Sequence, residues 1–264
     1  MKYAFVNGQR SEAQPNRTGE CPCCGGSVIA KCGEIRVNHW AHRRGQNCDY
    51  WWERETEWHR NWKDSFPTHW QEFVHRDENG ERHIADVKTD HDWVIEFQHS
   101  YLKPEERESR DAFYSKLIWV VDGTRRKRDV EHFHAALNKG IAIHRSVPVR
   151  RILPGRSALL REWANSPSQV FLDFGGQSVV WWLLAKRQEG PFYVTPFSRP
   201  EFIQIHLGAS EEAISEFEKL VADLRSLASN YEAQFQLQVQ RVRSKTTANG
   251  FQQYLARKSA RRRL

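Results

Sequence analysis

Residues 83–98 read HIADVKTDHDWVIEFQ, and this stretch decides the fold. Ile84, Asp86 and Lys88 alternate with Ala85 and Val87; after turn residues Asp90 to Asp92, Trp93, Ile95 and Phe97 alternate with Glu96 and Gln98. Period-two patterning broken by an Asp-rich turn predicts a β-hairpin with strands at His83–Lys88 and Trp93–Gln98. Working outward, Gln71 to Arg76 alternates in the same way and Asn79-Gly80 supplies a turn, so three strands form a meander. Upstream, a helical segment runs from about Asp49 to Phe66 and is stopped by Pro67. Downstream, Pro104 opens the charged helix EERESRDAFYSK, and Leu117 to Val121 is an apolar run suited to a buried strand. Helix, three strands, helix, strand is an α/β arrangement with a mixed sheet.

The polar faces of the hairpin carry its chemistry. If the register brings them together, Asp86 and Glu96 meet across the ladder and share a divalent cation, with the Phe97 carbonyl as a further ligand. Hard oxygen donors that leave water in the shell describe Mg²⁺ or Mn²⁺. Such a cation stabilises the charge that grows on a phosphodiester during hydrolysis and lowers the pKa of the attacking water. Gln98 has no basic atom, so it is expected to orient that water, proton removal falling to Lys63, His59 or a second water. Glu55, His59 and Lys63, spaced i, i+4, i+8, share one stripe of the upstream helix, where Glu55 completes the metal cage and His59 or Lys63 meets the scissile phosphate. Taken alone, the same stripe also reads as a solvated face.

Ahead of this core, four of the five cysteines fall between Cys21 and Cys32, too few for a disulfide scaffold and suited to metal ligation. In CPCCGG (21–26) Cys21 and Cys24 chelate one ion, and His42 with Cys48 has the spacing of the second half of a three-cysteine, one-histidine structural zinc site. His39 rivals His42, and Cys23 rivals Cys24. The expected hairpin of this unit joins SVIA (27–30) to EIRV (34–37) around Lys31-Cys32-Gly33, after a short strand Tyr3 to Val6 and an Asn7-Gly8 turn.

Beyond residue 141 lie β-like runs (AIHRSVPVRRIL, SQVFLDF, SVVWWLLA, PFYVTPF), and from Ser210 a long amphipathic helix carries Ile214, Phe217, Val221, Leu224 and Ala228 at helical spacing. The net charge of +7 is concentrated at the end, where Arg257, Lys258, Arg261, Arg262 and Arg263 follow a stretch free of Asp and Glu. Such a tail suits a polyanion, or serves solubility. No run approaches a membrane span and the opening residues lack a secretory pattern, so the expected location is cytoplasmic, with no membrane partner.

The succession CPCC (21–24), HWAH (39–42), ETEWHRNWK (55–63), HIADV (83–87), VIEFQHS (94–100), RDAFY (110–114) and LIWVVDG (117–123) resembles the competence protein CoiA family, over roughly residues 20 to 125. The resemblance implies a nuclease domain of the PD-(D/E)xK superfamily with Gln in the final motif position. Asp86 then corresponds to the motif Asp, Glu96 to its Glu and Gln98 to the Lys/Gln position, while Arg107, Arg110 and Tyr114 face the DNA backbone. The expected fold class is α/β: a restriction-endonuclease-like core with a mixed central sheet at 51–145, preceded at 1–50 by an N-terminal strand and zinc-knuckle unit and followed at 146–264 by a mixed α/β and helical region. The expected activity is Mg²⁺-dependent hydrolysis of DNA in recombination, DNA uptake or defence against foreign DNA, alone or with a protein partner. A catalytically silent zinc-containing nucleic-acid-binding module is the alternative. A third reading is a zinc adaptor that docks a protein through a Trp-rich surface, motivated by 11 Trp.

Overall fold

A computed structural model describes residues 1–43, 48–51, 53–176, 178–185, 190–208 and 211–260. Two sheets organise the chain. The N-terminal one contains β1 (Tyr3–Val6), β2 (Gln9–Glu12), β3 (Thr18–Glu20), β4 (Ser27–Lys31) and β5 (His39–His42), in the order β2-β1-β3-β4-β5. Asn7 and Gly8, at φ 51° and 78°, make the tight turn that right-twisted hairpin strands favour. β2 and β3 are too polar to show period-two patterning and fall in what reads as a polar loop. The expected strand EIRV is instead the connection between β4 and β5: Ile35 is 96% exposed, and the partner of β4 is HWAH.

The elements that follow are α1 (Glu57–Lys63), β6 (Gln71–Arg76), β7 (Arg82–Lys88), β8 (Val94–Gln98), α2 (Pro104–Phe113), β9 (Leu117–Asp122), α3 (Asp129–Asn138), β10 (Ile141–Ala142), β11 (Arg150–Ile152), α4 (Ala158–Glu162), β12 (Gln169–Asp173), β13 (Val179–Ala185), β14 (Phe192–Ser198), α5 (Arg199–Leu207) and α6 (Glu211–Ala260). Nine strands form one sheet in the order β10-β11-β14-β13-β12-β9-β8-β7-β6. The β6-β7-β8 meander is antiparallel, β8, β9 and β12 run parallel, and the rest is antiparallel. The sheet is therefore mixed. Strands on both sides of residue 145 belong to it, β9 and β12 pairing directly.

Side chains of the central strands divide between two cores. Trp119, Val121 and Leu172 pack with Phe133, Leu159 and Trp163 on one face; Ile118, Val120 and Phe171 pack with Trp62, Phe202 and Phe217 on the other. Burial on both faces explains why β9 and β12 read as continuous apolar runs. On α6, Phe217, Val221, Leu224 and Ala228 cover the second face as their spacing requires. Glu232 then pins the helix by accepting from Arg151 Nε at 2.8 Å and from the Tyr193 hydroxyl, which together with burial raises the tyrosine pKa. The side chains of Arg257 and Lys258, and Arg261, Arg262 and Arg263 altogether, lie outside the described residues. Among the described residues no helix is long and apolar enough to cross a membrane.

The upstream helix is shorter than its pattern predicts. Thr56 is the N-cap, its hydroxyl accepting from His59 N at 3.3 Å, so α1 begins at Glu57 and Glu55 stands in extended chain before it. Asp49 competes for the preceding residues by accepting from Trp51 N and Ile84 N, both at 2.9 Å. The orientation of α1 comes from Asp173 at the end of β12, which is fully buried and accepts both indole N–H groups of the helix, Trp58 at 3.0 Å and Trp62 at 2.8 Å, with Arg199 3.7 Å away. Asp173→Ala leaves two buried indole donors and a guanidinium without their acceptor. It is expected to cost roughly 3–5 kcal/mol in urea unfolding, with Asp173→Asn recovering part of the loss.

Candidate functional site

The paired register of the meander sets up a row of three carboxylates. β6 and β7 pair Gln71 with Val87 and Phe73 with Ala85, which puts Glu72 opposite Asp86. β7 and β8 pair Lys88 with Val94 and Val87 with Ile95, so the next step opposes Asp86 to Glu96. At that step the backbone ladder stops and side chains bridge the strands: Asp86 Oδ2 accepts from Phe97 N at 2.9 Å, and Asp49 Oδ2 takes the N–H of Ile84. The gap between the strands opens into a cavity of about 250 Å³ lined by Glu53, Glu55, His59, Lys63, Asp86 and Glu96 among others. Because the N–H and C=O of an extended residue point to the same side, the Phe97 carbonyl also faces this gap.

Lys63 occupies the centre of the row. Its ammonium, 2% exposed, donates to Glu55 at 2.8 Å and to Glu72 at 3.1 Å and lies 3.7 Å from Asp86. Burial opposes its charge, but Glu72, Glu55 and Asp86 outweigh that and raise its pKa. Against the same burial penalty, Lys63 holds Glu55 below the usual carboxylate range and Glu72 down to about 2. Glu72 also accepts from the Lys2 and Tyr3 N–H groups, bonds that repay its backbone for a left-handed φ of 46°.

Asp86 and Glu96 behave differently. Burial raises both, and Asp86 pushes Glu96 further, to about 8, although Arg110 Nη1 donates to Glu96 at 3.2 Å. Two adjacent buried carboxyls that resist joint ionisation, with a backbone carbonyl beside them, are a donor set a hard divalent cation fits. Asp86, its side chain 22% exposed, is the one open to the cavity. His59 Nε2, buried in the cavity wall, has no hydrogen-bond partner, which leaves a polar atom for bound water or substrate.

Several expected residues take other places. Glu55 joins the cluster from extended chain, not from a helical stripe, and is engaged by Lys63 and by Arg60 Nε at 3.3 Å. The carboxylates around Lys63 favour its ammonium form against burial, so it enters the site as a positive charge. Gln98 is absent from the cavity lining; its amide donates to Glu53 Oε2 at 2.8 Å and to the Ser100 carbonyl at 3.2 Å. Arg110 and Tyr114 are buried, Arg110 spent on Glu96, Glu106 and the Trp51 carbonyl. Arg107 bonds the Glu162 carbonyl and lies over Trp163. All three are thus placed against other parts of the protein, Arg110 and Tyr114 inside it and Arg107 at its edge.

Two participants escape the motif reading. Glu72 is discoverable from register, as the residue opposite Asp86 in the paired strands. Glu53 accepts from Gln98 and from Ser100 N and lies 3.6 Å from His59 Nε2. The nearby His59 and the Ser100 contacts hold it below its usual range despite burial, whereas the neighbouring Glu53 and Asp86 carboxylates raise His59 against its own burial. No pattern in the sequence marks Glu53, because it acts from irregular chain.

The ligating atoms of Cys21, Cys24, His42 and Cys48 lie within 4.8 Å of one another. Cys21 Sγ is 3.6 Å from Cys48 Sγ, and Cys24 Sγ is 3.4 Å from His42 Nε2. Gly25, at φ 71°, turns the knuckle so that Gly26 N donates to Cys24 Sγ at 3.3 Å. Burial pushes the Cys21 and Cys48 thiols up, a penalty that ligation of the thiolates relieves. Soft thiolates with one imidazole and no open position fit structural Zn²⁺. Cys23 instead packs in the core of the unit, and the His39 ring lies 2.9 Å from the Val37 carbonyl. His42 and Cys48 also line the carboxylate cavity, with Trp40 and Ala41, so the Cys/His unit roofs the site.

Residues 7–51 match the family model of the competence protein CoiA, N-terminal domain. No curated protein and no solved structure matches the chain. The matched span takes in β2 to β5 of the N-terminal sheet and the Cys/His cluster, which supports a CoiA-like N-terminal domain.

Two outcomes follow from these charges. Without divalent cation, native Glu96 keeps a proton that the unfolded chain loses above its ordinary pKa of 4.5, so stability falls as pH rises from about 4.5 to about 8. In urea titrations across this range Glu96→Gln is expected to flatten that slope. The purified protein is expected to carry a single equivalent of zinc by atomic emission, and Cys24→Ser to carry much less.

Proposed function

We propose that the chain is a metal-dependent nuclease of the PD-(D/E)xK class, its nine-stranded sheet containing a restriction-endonuclease-like core. The observation that carries this reading is the parting of β7 and β8 at Asp86 and Glu96, with Lys63 3.7 Å from Asp86. Asp86, Glu96 and the Phe97 carbonyl would hold Mg²⁺ or Mn²⁺, with Glu55 as a further oxygen donor. The cation supplies charge stabilisation and a hydroxide-like nucleophile. Lys63, arriving from α1, places an ammonium beside Asp86, the position that a motif lysine takes and that Gln98 does not fill. There it neutralises carboxylates and meets the phosphate. His59, with an unpartnered Nε2 near Glu53, is the group that passes protons.

The resemblance of residues 7–51 to a competence-protein domain favours a role in DNA uptake or recombination. DNA is the favoured partner, with the basic end of α6 adding phosphate contacts. A second reading has an observation of its own: Lys63 already stands among Glu55, Glu72 and Asp86, an internal cation of the kind a silent nucleic-acid-binding module would keep in place of a metal ion.

The two are separated by incubating end-labelled single-stranded DNA, duplex DNA and RNA with wild type and Asp86→Ala, with Mg²⁺, Mn²⁺ or neither. The nuclease reading expects metal-dependent products that fall roughly 100-fold or more in the variant, since even outer partners of metal ligands cost about 10- to 100-fold. Binding without any product in either metal sinks it in favour of the silent module.

A further inference from the structure

A second cavity, of about 350 Å³, adjoins the carboxylate cavity, and Trp51, Glu53 and Arg110 line both. Its walls come from the chain before α1 and from the turn after β8, and include Arg54, His99, Ser100 and Tyr101. None of the chemistry described above uses it. Its size falls in the range of small-ligand sites, roughly 300–1,000 Å³.

Two large aromatic side chains lie at this cavity with their rings in solvent, Tyr50 at 68% and Tyr101 at 60% exposure. Exposed tyrosines beside a polar pocket are stacking platforms for planar groups, and the exposed Arg54 adds a cation for a phosphate. The carboxylates in its wall have partners: Glu53 accepts from Gln98 and Ser100 and lies 3.6 Å from His59, and Glu106 pairs with Arg110.

Depth adds a constraint on the substrate. Glu96 and Glu55 are buried at the back of a cavity roofed by Trp40 and His42. Duplex DNA is stiff over about 150 base pairs and carries its phosphates on the outside of a broad rod, so bringing a phosphate into that recess while paired costs deformation energy. A separated strand avoids that cost.

We propose that the second cavity seats the base and sugar of an unpaired nucleotide next to the phosphate held at Asp86, making single-stranded nucleic acid the substrate. This rests on the nuclease reading for what happens in the first cavity. The recognition itself is a stacking interaction of the second cavity and is read by binding alone.

The test uses the full-length protein without added divalent cation and a short oligonucleotide carrying a fluorescent base analogue, in DNA and RNA versions, single-stranded and annealed. The proposal expects tighter binding of the single strand than of its duplex, quenching of the analogue, and roughly tenfold weaker binding with loss of quenching in Tyr101→Ala, while Tyr101→Phe keeps both. Tyr101 is exposed, so the substitutions do not threaten the core. The DNA and RNA arms identify the sugar the cavity takes. Unchanged affinity and quenching in Tyr101→Ala, duplex bound as tightly as single strand, or no binding of either overturns the proposal. Single-strand binding with quenching but no product in Mg²⁺ or Mn²⁺ sustains the subsite and removes the nuclease reading. Equal cleavage of duplex and single strand, unaffected by Tyr101→Ala, does the reverse.

Discussion

A buried ammonium is costly unless its charge is met, and the centre of this protein is organised around meeting that of Lys63. Its partners come from three segments: Glu55 from the chain before α1, Glu72 from β6 and Asp86 from β7. Each is fixed by something else in turn. The Asp173 acceptor holds the two indoles that orient α1, and the sheet register fixes the two strand carboxylates. Removing Lys63 leaves three carboxylates crowded together without their shared cation. Position and charge are therefore coupled, and the helix, the loop and the two strands form one electrostatic unit.

The remaining carboxyl, Glu96, shows what this unit leaves uncompensated. Lys63 lies beside Asp86 but makes no ion pair with Glu96, whose cationic partner is Arg110 on α2. That single pair does not overcome burial and the neighbouring Asp86, so the carboxyl keeps its proton near neutral pH. An oxygen-lined gap holding one fixed ammonium and one reluctant carboxyl is well suited to gaining a cation and losing a proton in the same step. The separated strands matter here as much as the charges. If the β7–β8 ladder had continued, the Phe97 N–H and carbonyl would be spent on backbone pairing and unable to face the cavity.

How much of this was legible in the sequence follows from which forces set each part. Period-two patterning gave the meander, because strands with one polar and one apolar face must alternate; it put Asp86 on β7 and Glu96 on β8, where the register sets them opposite one another. Helical spacing over-extended α1, because Thr56 and Asp49 compete for the backbone through local hydrogen bonds that periodicity does not register. The burial of Arg110 and Tyr114 was hidden for a related reason: a charged helix face reads as solvated until its partners are known, and Glu96, the counter-charge of Arg110, lies on a different element, β8. The union of β12 with β9 depends on long-range parallel pairing, which leaves no short-range trace. The knuckle spacing, by contrast, is a local chelate constraint, and the cluster of Cys21, Cys24, His42 and Cys48 lies where that spacing puts it.

The N-terminal unit is more than an appendage, because it supplies part of what the buried cluster needs. The N–H groups of Lys2 and Tyr3 satisfy Glu72, Lys2 Nζ donates to Gln71 and Asp64, and Arg82 at the start of β7 donates to the Cys23 carbonyl at 2.9 Å. A unit of this size has a small core of its own, centred on Val28 and Trp40, and domains so small generally need a metal or a comparable staple. If the Cys/His cluster is that staple, its ligation holds β5 and the Cys48 loop as the roof and keeps the first strand seated on β6. The free energy of metal binding at the knuckle then reaches the carboxylate row through Glu72. On this view a structural cation at the knuckle helps set the geometry and dryness of the carboxylate row beneath it.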